Sequence, residues 1–266
     1  MKKIFLATLM MPLFCFAQNS ETTESPDSTA MTASLYGADV DALLSQDQSI
    51  AHFQNRYVLK DAYVKLVDNQ GNGFEALYGV RNLRAVLSGV VYRGGANNVY
   101  NKFGKRANSN PLQNGGLKNL CEEGFGTAVY LYSTNYAGAP KQTSCQTASE
   151  SANSIQYLQE SVLLSEASAK RVLTLIHGRL TSATDHRPIY MHCWNGWHAS
   201  GYISALTLRQ FCGYSGDQAV AYWNRNTDGN NVGSGYDKIR SKIRAYNFDP
   251  NLSIDSALKA KVCPAR

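Results

Sequence analysis

The sequence predicts an α/β domain with a central, mainly parallel sheet and helices on both of its faces. Short apolar runs such as TAVYLY (127–132) and IYMH (189–192) are rich in β-branched and aromatic residues, which is typical of buried strands. Between residues 169 and 180 the apolar residues follow helical spacing instead. Strands and helices of this length alternate along the chain, and that alternation favours a parallel sheet.

The elements follow in order, beginning with a strand closed by glycines at 89–95 and a short helix at 117–123. Strands at 127–132 and 154–158 precede an amphipathic helix, whose apolar face consists of Ala169, Val172, Leu173, Ile176 and Leu180. After the strand 189–192, the predicted helices are 199–211, which ends near Gly213, then 217–226 and 236–246.

The N-terminus predicts export. Lys2 and Lys3 precede an uncharged apolar stretch, 4–16, that is too short to span a bilayer, and Ala17 offers a cleavage site. We expect a signal peptide at 1–17, a flexible polar leader at 18–45 and one domain at 46–266, in a bacterial periplasm or outside the cell. A lipoprotein anchored through Cys15 is the weaker alternative, because bulky Phe14 precedes it. No later segment reaches about 18 uninterrupted apolar residues, so no transmembrane helix is expected.

Charge argues against nucleic-acid binding. Removal of Lys2 and Lys3 with the signal peptide reduces the formal net charge from +6 to +4, which is mild for this length. The one local basic cluster consists of Lys102, Lys105 and Arg106, and a solvated surface loop is its simpler interpretation.

The cysteines indicate an oxidising compartment and one odd thiol. Five would remain in the mature chain, at positions 121, 145, 193, 212 and 263. Sequence order suggests the pairs Cys121 with Cys145 and Cys212 with Cys263, although the connectivity stays open. Cys193 is then the unpaired thiol.

The residues around Cys193 predict an anion site. In the run HCWNGWHASG (192–201), which we call the Cys193 loop, a strand ends at Cys193 and a helix starts near Ser200-Gly201. Loop amides together with a helix N-terminus bind anions, and the same field stabilises a nucleophilic thiolate. Gly196 allows the tight turn, and Ser200 is placed to hydrogen-bond the sulfur.

The Cys193 loop resembles the active-site loop of the cysteine-dependent tyrosine and dual-specificity phosphatases: His-Cys, two residues, Gly, two residues, Arg, Ser or Thr, Gly. His192, Cys193, Gly196, Ser200 and Gly201 match it. GVVYRGGANN (89–98) and GGLKNLCEEGFGTAVYLYS (115–133) resemble further segments, so the likeness covers about residues 75–215. It implies a phosphotyrosine-phosphatase-like fold and no cofactor, with Cys193 as nucleophile and Ser200 helping to expel the thiolate. The anion would be held by the whole loop, which comprises His192, Trp194, Asn195, Gly196, Trp197, His198, Ala199 and Gly201.

One departure from that pattern concerns the arginine that clamps the phosphate, because Ala199 occupies its position. Two charge-assisted bonds at about 1.5–3 kcal/mol each are lost. This corresponds to a rate loss on the order of 10²–10⁴. His198 could supply a partial cation, and the sequence leaves open whether Arg187 or Arg209 approaches the loop.

The general acid is the second departure. The family uses an aspartate roughly thirty residues before the cysteine, but no aspartate lies between Asp68 and Asp185. Glu160, just after the strand 154–158, has the best spacing among nearby carboxylates. The alternative is that Glu160 is simply an exposed residue near a helix start.

Other interpretations compete. Cys193 could be an inert core thiol, or could join His186, His192 and His198 in a metal site. The spacing fits no standard zinc pattern, and adjacent strand residues point to opposite faces, so we expect no metal.

The leading hypothesis is an exported cysteine-dependent phosphomonoesterase. The alternative is an impaired relative that binds an anionic, phosphorylated small molecule or protein between the aromatic walls Trp194, Trp197, Tyr202 and Trp223. A guanidinium within reach of the loop would favour turnover.

Overall fold

A computed structural model of the chain describes residues 44–59, 61–97 and 111–265. The expected signal peptide, nearly all of the polar leader and the basic cluster at 102–106 lie outside these ranges. The first described helix begins at Gln46, after a Ser45 side chain that accepts a hydrogen bond from the Gln48 amide and caps the helix.

The described residues form six strands, seven α-helices and two short 3₁₀-helices. The strands are β1 (Val80–Leu87), β2 (Val91–Ala96), β3 (Thr127–Tyr130), β4 (Gln142–Gln146), β5 (Ala152–Gln159) and β6 (Ile189–Cys193). The helices are α1 (Gln46–Tyr57), α2 (Asn114–Glu122), α3 (Glu166–Thr181), α4 (Ala199–Cys212), α5 (Gly216–Arg225), α6 (Ser234–Ala245) and α7 (Ser256–Val262). The 3₁₀-helices are Glu75–Leu77 and Pro250–Leu252.

The strands form one mixed sheet in the order β1-β2-β6-β3-β5-β4. The four central strands β2, β6, β3 and β5 run parallel, whereas β1 and β4 pair antiparallel at the two edges. The prediction of an α/β fold with a mostly parallel sheet and flanking helices is therefore confirmed. The sequence did not predict β1, β4, α1 or α7.

Alternation along the strands separates two apolar clusters on the two faces of the sheet. Met191 and Cys193 belong to the cluster that contains residues of α3 to α7. Tyr190 belongs to the other cluster, which includes apolar residues of α1 and α2. His192 stacks on tyrosines of that second cluster. Adjacent Cys193 and His192 thus point to opposite faces of the sheet, as period-two geometry requires.

Two disulfides fasten the outer elements to the core. Cys121 of α2 is bonded to Cys145 of β4, and Cys212 at the end of α4 is bonded to Cys263 after α7. These are the pairs that sequence order suggests, and disulfides are consistent with an oxidising compartment. Within the described residues, no helix combines the length and the apolar character that crossing a membrane requires.

The Cys212–Cys263 bond is expected to contribute strongly to stability, because it joins residues 51 positions apart. In the chain-entropy treatment, closing a loop of that length stabilises the folded state by about 4 kcal/mol. We predict that Cys212→Ser/Cys263→Ser lowers the free energy of unfolding in urea by about that amount. The reduced wild type provides the control and should lose at least as much. A double variant within about 1 kcal/mol of the oxidised wild type would contradict the prediction.

Candidate active site around Cys193

The Cys193 loop lies in the middle of the sheet, at the carboxyl end of β6. The strand ends at Cys193 and α4 begins at Ala199, so five residues make the connection. Gly95 of the parallel neighbour β2 is in register with Cys193. Carboxyl ends of parallel strands are where α/β proteins bind ligands, and the predicted location of the site is therefore a favourable one.

Cys193 and Ser200 lie together, as the sequence predicts. The Sγ of Cys193 is 3.4 Å from the Oγ of Ser200, in the first turn of α4. Cys193 is the free cysteine of the described residues, and its side chain is only 1% exposed. The thiol is thus held at a helix N-terminus beside a hydroxyl that can hydrogen-bond it.

Side chains of β1 and β2 donate hydrogen bonds to the carbonyl groups of the loop. We describe the side from which they do so as beneath the loop. The hydrogen bonds are Arg81 Nη2 to Trp194 O (2.8 Å), Asn82 Nδ2 to Asn195 O (2.7 Å), Arg93 Nη2 to Gly196 O, and Arg93 Nη2 to Trp197 O (3.4 Å). All four acceptors are consecutive in the chain. The loop therefore turns one edge of its backbone, the carbonyl edge, towards buried cationic and amide donors.

This arrangement fixes the direction of the loop amides. In a trans peptide the N–H points opposite to the C=O of the same unit. The N–H groups of residues 195–198 consequently point away from Arg81 and Arg93. His198, the N-cap of α4, makes no side-chain capping bond, so the first-turn amides of this helix add further donors. A row of outward amides at a helix N-terminus is suited to binding an anion.

Close backbone packing beneath the loop requires glycines. A Cβ on Gly95 would lie 2.5 Å from the carbonyl oxygen of Trp194 and from the carbonyl carbon of Asn195. Gly196 has φ +76, and a Cβ there would lie 2.6 Å from the Gly94 carbonyl carbon. These glycines let β2 and the loop approach closely enough for the arginine–carbonyl bonds to form.

His192 is held as a neutral ring by its surroundings. The Leu112 amide donates to the Tyr157 hydroxyl (2.8 Å), which is therefore free to donate its own proton to His192 Nε2 (2.8 Å). His192 Nδ1–H then donates to the Cys193 carbonyl (3.3 Å). Burial lowers the pKa of His192 to about 3, so the ring is uncharged at neutral pH. It orients the loop and carries no charge to it.

The substitute cations considered from the sequence do not reach the amide face of the loop. His198 donates Nε2–H to the Asn230 carbonyl (2.6 Å) and stacks on Tyr236, and burial lowers its pKa. Arg187 is bound to Asp185 (2.8 Å). Arg209 is bound to carbonyl groups of α6. The His198 ring is occupied by these contacts, and its expected role of holding ligand oxygens as a partial cation stays a prediction.

Arg81 and Arg93 are residues of the candidate site that the sequence did not predict. Both are buried in the sheet and bind the loop through its carbonyls. The available signal was the presence of arginines within two buried strands, β1 (VRNLRAVL) and β2 (VYRGGA), since a charge buried in a strand needs a partner elsewhere.

Glu160 is poorly suited to the acid role predicted for it. Its carboxylate accepts two hydrogen bonds from Arg171 of α3, at 2.7 and 2.8 Å. Burial raises the pKa of Glu160, but the hydrogen bonds from Arg171 and Ser168 outweigh burial and leave the pKa below its ordinary value. An ionised, paired carboxylate has no proton to donate to a leaving oxygen.

The four aromatic residues that were expected to form the walls of the site lie in different surroundings. Trp194 is 43% exposed and contacts Tyr132 edge to face. Trp197 is mostly buried, and its indole N–H donates to Asp228 (3.0 Å). Trp223 is buried and donates to the His198 carbonyl, whereas Tyr202 lines a separate cavity of about 360 Å³ between α3 and α6. Trp194 is thus the exposed member of the set.

No protein-family model matches the chain, and no curated protein matches it either. Within the described residues, no group of three or more histidine, cysteine, aspartate or glutamate side chains could hold a metal ion. The phosphatase resemblance therefore stays a prediction from the sequence.

We predict that Gly95→Ala weakens the fold at the loop, because the new methyl group must displace backbone atoms at 2.5 Å. Overpacking of this kind costs about 1–3 kcal/mol, and the shift should change the fluorescence of Trp194. The control is Gly115→Ala in α2, where a Cβ meets nothing within 4 Å. That change should be neutral or stabilise by up to about 1 kcal/mol. Equal free energies of unfolding for the two variants would contradict the packing.

We predict that His192 makes the protein sensitive to acid. Its folded pKa of about 3 lies below the ordinary value of 6.5, so the unfolded state binds the proton more tightly. The stability contributed by neutral His192 is therefore present above about pH 6.5 and is lost as the pH falls towards 3. His192→Asn should unfold more easily at pH 7 but lose less stability between pH 6 and pH 4 than the wild type. Exposed His52→Asn serves as control, and identical slopes for wild type and His192→Asn would refute the assignment.

Proposed function

We propose that the Cys193 loop binds a tetrahedral oxyanion, such as a phosphoryl or sulfate group, in an exported protein of phosphatase-like architecture. The observation that carries the proposal is the orientation of four consecutive loop peptides, with carbonyls bound by Arg81, Asn82 and Arg93. Their amides point away from these side chains and join the N-terminus of α4. The expected ligand is a phosphorylated small molecule or protein.

Binding is favoured over rapid turnover. The guanidinium groups of Arg81 and Arg93 bond the loop through its backbone carbonyls, the Asn195 side-chain oxygen and the Ser200 hydroxyl. A transferring phosphoryl group would therefore lack the bidentate clamp that a loop arginine provides. Glu160, paired with Arg171, supplies no acid for the leaving oxygen. An impaired phosphatase-like anion receptor accounts for these features together.

Slow phosphomonoester hydrolysis is the second candidate, and the Cys193–Ser200 contact of 3.4 Å favours it. The Cys193 thiolate would attack phosphorus while the bond to the ester oxygen breaks, and that oxygen would take a proton from water. Water would then attack the phosphocysteine, and the departing sulfur would accept a hydrogen bond from Ser200. An unpaired Cys193, when the other four cysteines of the described residues form disulfides, supports a chemical role.

The export proposal rests on the predicted signal peptide and on the two disulfides. A periplasmic or extracellular location agrees with both, because thiols pair stably there. The phosphatase-like fold is likewise supported by the strand-loop-helix at Cys193 in the centre of a parallel sheet.

The decisive assay combines phosphate binding with aryl phosphate hydrolysis, using wild type, Cys193→Ser and Ala199→Arg. We expect wild type and Cys193→Ser to bind inorganic phosphate, because the amides remain. Hydrolysis by the wild type should be slow, and Ala199→Arg should raise it on the order of 10²–10⁴-fold by restoring the clamp.

Ala199→Met controls for side-chain volume at this buried position and should not gain activity. Slow wild-type turnover that is abolished by Cys193→Ser would favour the second candidate, whereas fast turnover would contradict both candidates. Absence of phosphate binding in the wild type would refute the anion site itself.

A further inference from the structure

Arg93 is a buried cation directly beneath the Cys193 loop. It is 0% exposed, and its Nη2 donates to the carbonyls of Gly196 and Trp197. The same atom lies 3.4 Å from the Ser200 hydroxyl, which in turn lies 3.4 Å from the Cys193 sulfur. Two contacts thus connect this guanidinium to the thiol.

Among the described residues the charge of Arg93 has no carboxylate counter-ion, although its guanidinium carbon lies 5.9 Å from the centroid of the Tyr222 ring. Its Nε and Nη1 groups are buried and have no hydrogen-bond partner there. No carboxylate forms an ion pair with it in the same ranges. Arg84 of β1 differs from Arg93 in this respect, because its Nη2 atom lies 3.3 Å from the Asp228 carboxylate. A buried charge without a counter-ion costs several kcal/mol, which a nearby anion would offset.

The positive field of Arg93 extends to both sides of the loop. Burial lowers the pKa of Arg84 to about 10, and repulsion by the Arg93 charge contributes to that shift. Burial also lowers the pKa of His198, and the charge of Arg93 again acts in the same direction. His198 is the N-cap of α4, next to the outward amides. The charge of Arg93 therefore acts on the side chain of the N-cap residue of α4.

We propose that Arg93 is the positioning residue that supplies the positive charge of this site, and that it selects divalent over monovalent oxyanions. The proposal, which rests on the proposed anion site, assigns to a strand residue the charge that a loop arginine would otherwise bring. Arg93 acts through the peptides of Gly196 and Trp197 and through Ser200, without touching the ligand. Charge acting through a few ångströms of buried protein discriminates by ligand valence, since the Coulomb energy doubles for a dianion.

The test measures binding of sulfate and of nitrate to the full chain at constant ionic strength, by calorimetry. Sulfate is a dianion and nitrate a monoanion over the whole neutral range, so no titration of the probe intervenes. Arg93→Gln keeps a donor for the loop carbonyls and removes the charge. We expect it to weaken sulfate binding about 10–100-fold and to reduce the preference for sulfate over nitrate. Arg93→Lys keeps the charge and should stay within about threefold of wild type.

Arg84→Gln is the matched control, because it removes an equally buried charge that is already paired with Asp228. It should lower stability but leave the preference for sulfate over nitrate unchanged. If Arg93 had a merely structural role, Arg93→Gln and Arg84→Gln would not differ in this preference. An unchanged preference in Arg93→Gln would overturn the proposal while leaving the anion site intact. Should Arg93→Gln fail to fold, loss of sulfate binding in folded Arg93→Lys would overturn it. A wild type that binds neither anion would refute the anion site as well.

Discussion

The geometry of the site depends on the burial of arginine side chains under a single loop. Arg81 and Arg93 are taken out of water in the sheet, and the desolvation of a guanidinium is affordable only if strong acceptors surround it. The consecutive carbonyls of the Cys193 loop are such acceptors. Once they point down towards the arginines, planarity of the peptide forces the amides to point the other way. The outward orientation of the amides, on which the proposed anion site rests, is thus a consequence of how buried cations in β1 and β2 are solvated.

The same constraint explains the composition of β2 and the loop. An arginine can reach a loop carbonyl only where the two backbones approach closely, and side chains at Gly95 or Gly196 would prevent this. On the opposite face of the sheet His192 is uncharged and enclosed by tyrosine rings. The two faces beneath the loop therefore differ in charge. A neutral aromatic cluster lies on one side, and on the other the guanidinium of Arg93 contacts the Ser200 hydroxyl, which in turn contacts the Cys193 thiol.

Local sequence patterns were sufficient for the sheet core, helices α3 to α6 and the Cys193–Ser200 contact, because each depends on periodicity or on residues seven positions apart. They were insufficient for β1, where Arg81, Asn82 and Arg84 interrupt the apolar pattern. The partners of Arg81 and Asn82 are loop atoms 113 residues further along the chain. The prediction of Glu160 as a general acid meets a related difficulty. Its spacing from Cys193 is suitable, but Arg171 from the next helix binds its carboxylate. The partner of a charged side chain is determined by its neighbours in the folded structure. The periodicity of the sequence carries no information about those neighbours.

A cation fixed beneath a loop has a different catalytic value from one that clamps the ligand. Arg93 lies behind the peptide units, so its distance from a bound phosphoryl group changes little as bonds to phosphorus form and break. It therefore stabilises ground state and transition state to a similar extent, which strengthens binding without raising the rate of the chemical step. A bidentate arginine on the loop instead follows the equatorial oxygens as charge redistributes on them. Under the proposed function, a positive charge that acts from the strand instead of from the loop would therefore favour affinity for the anion over turnover.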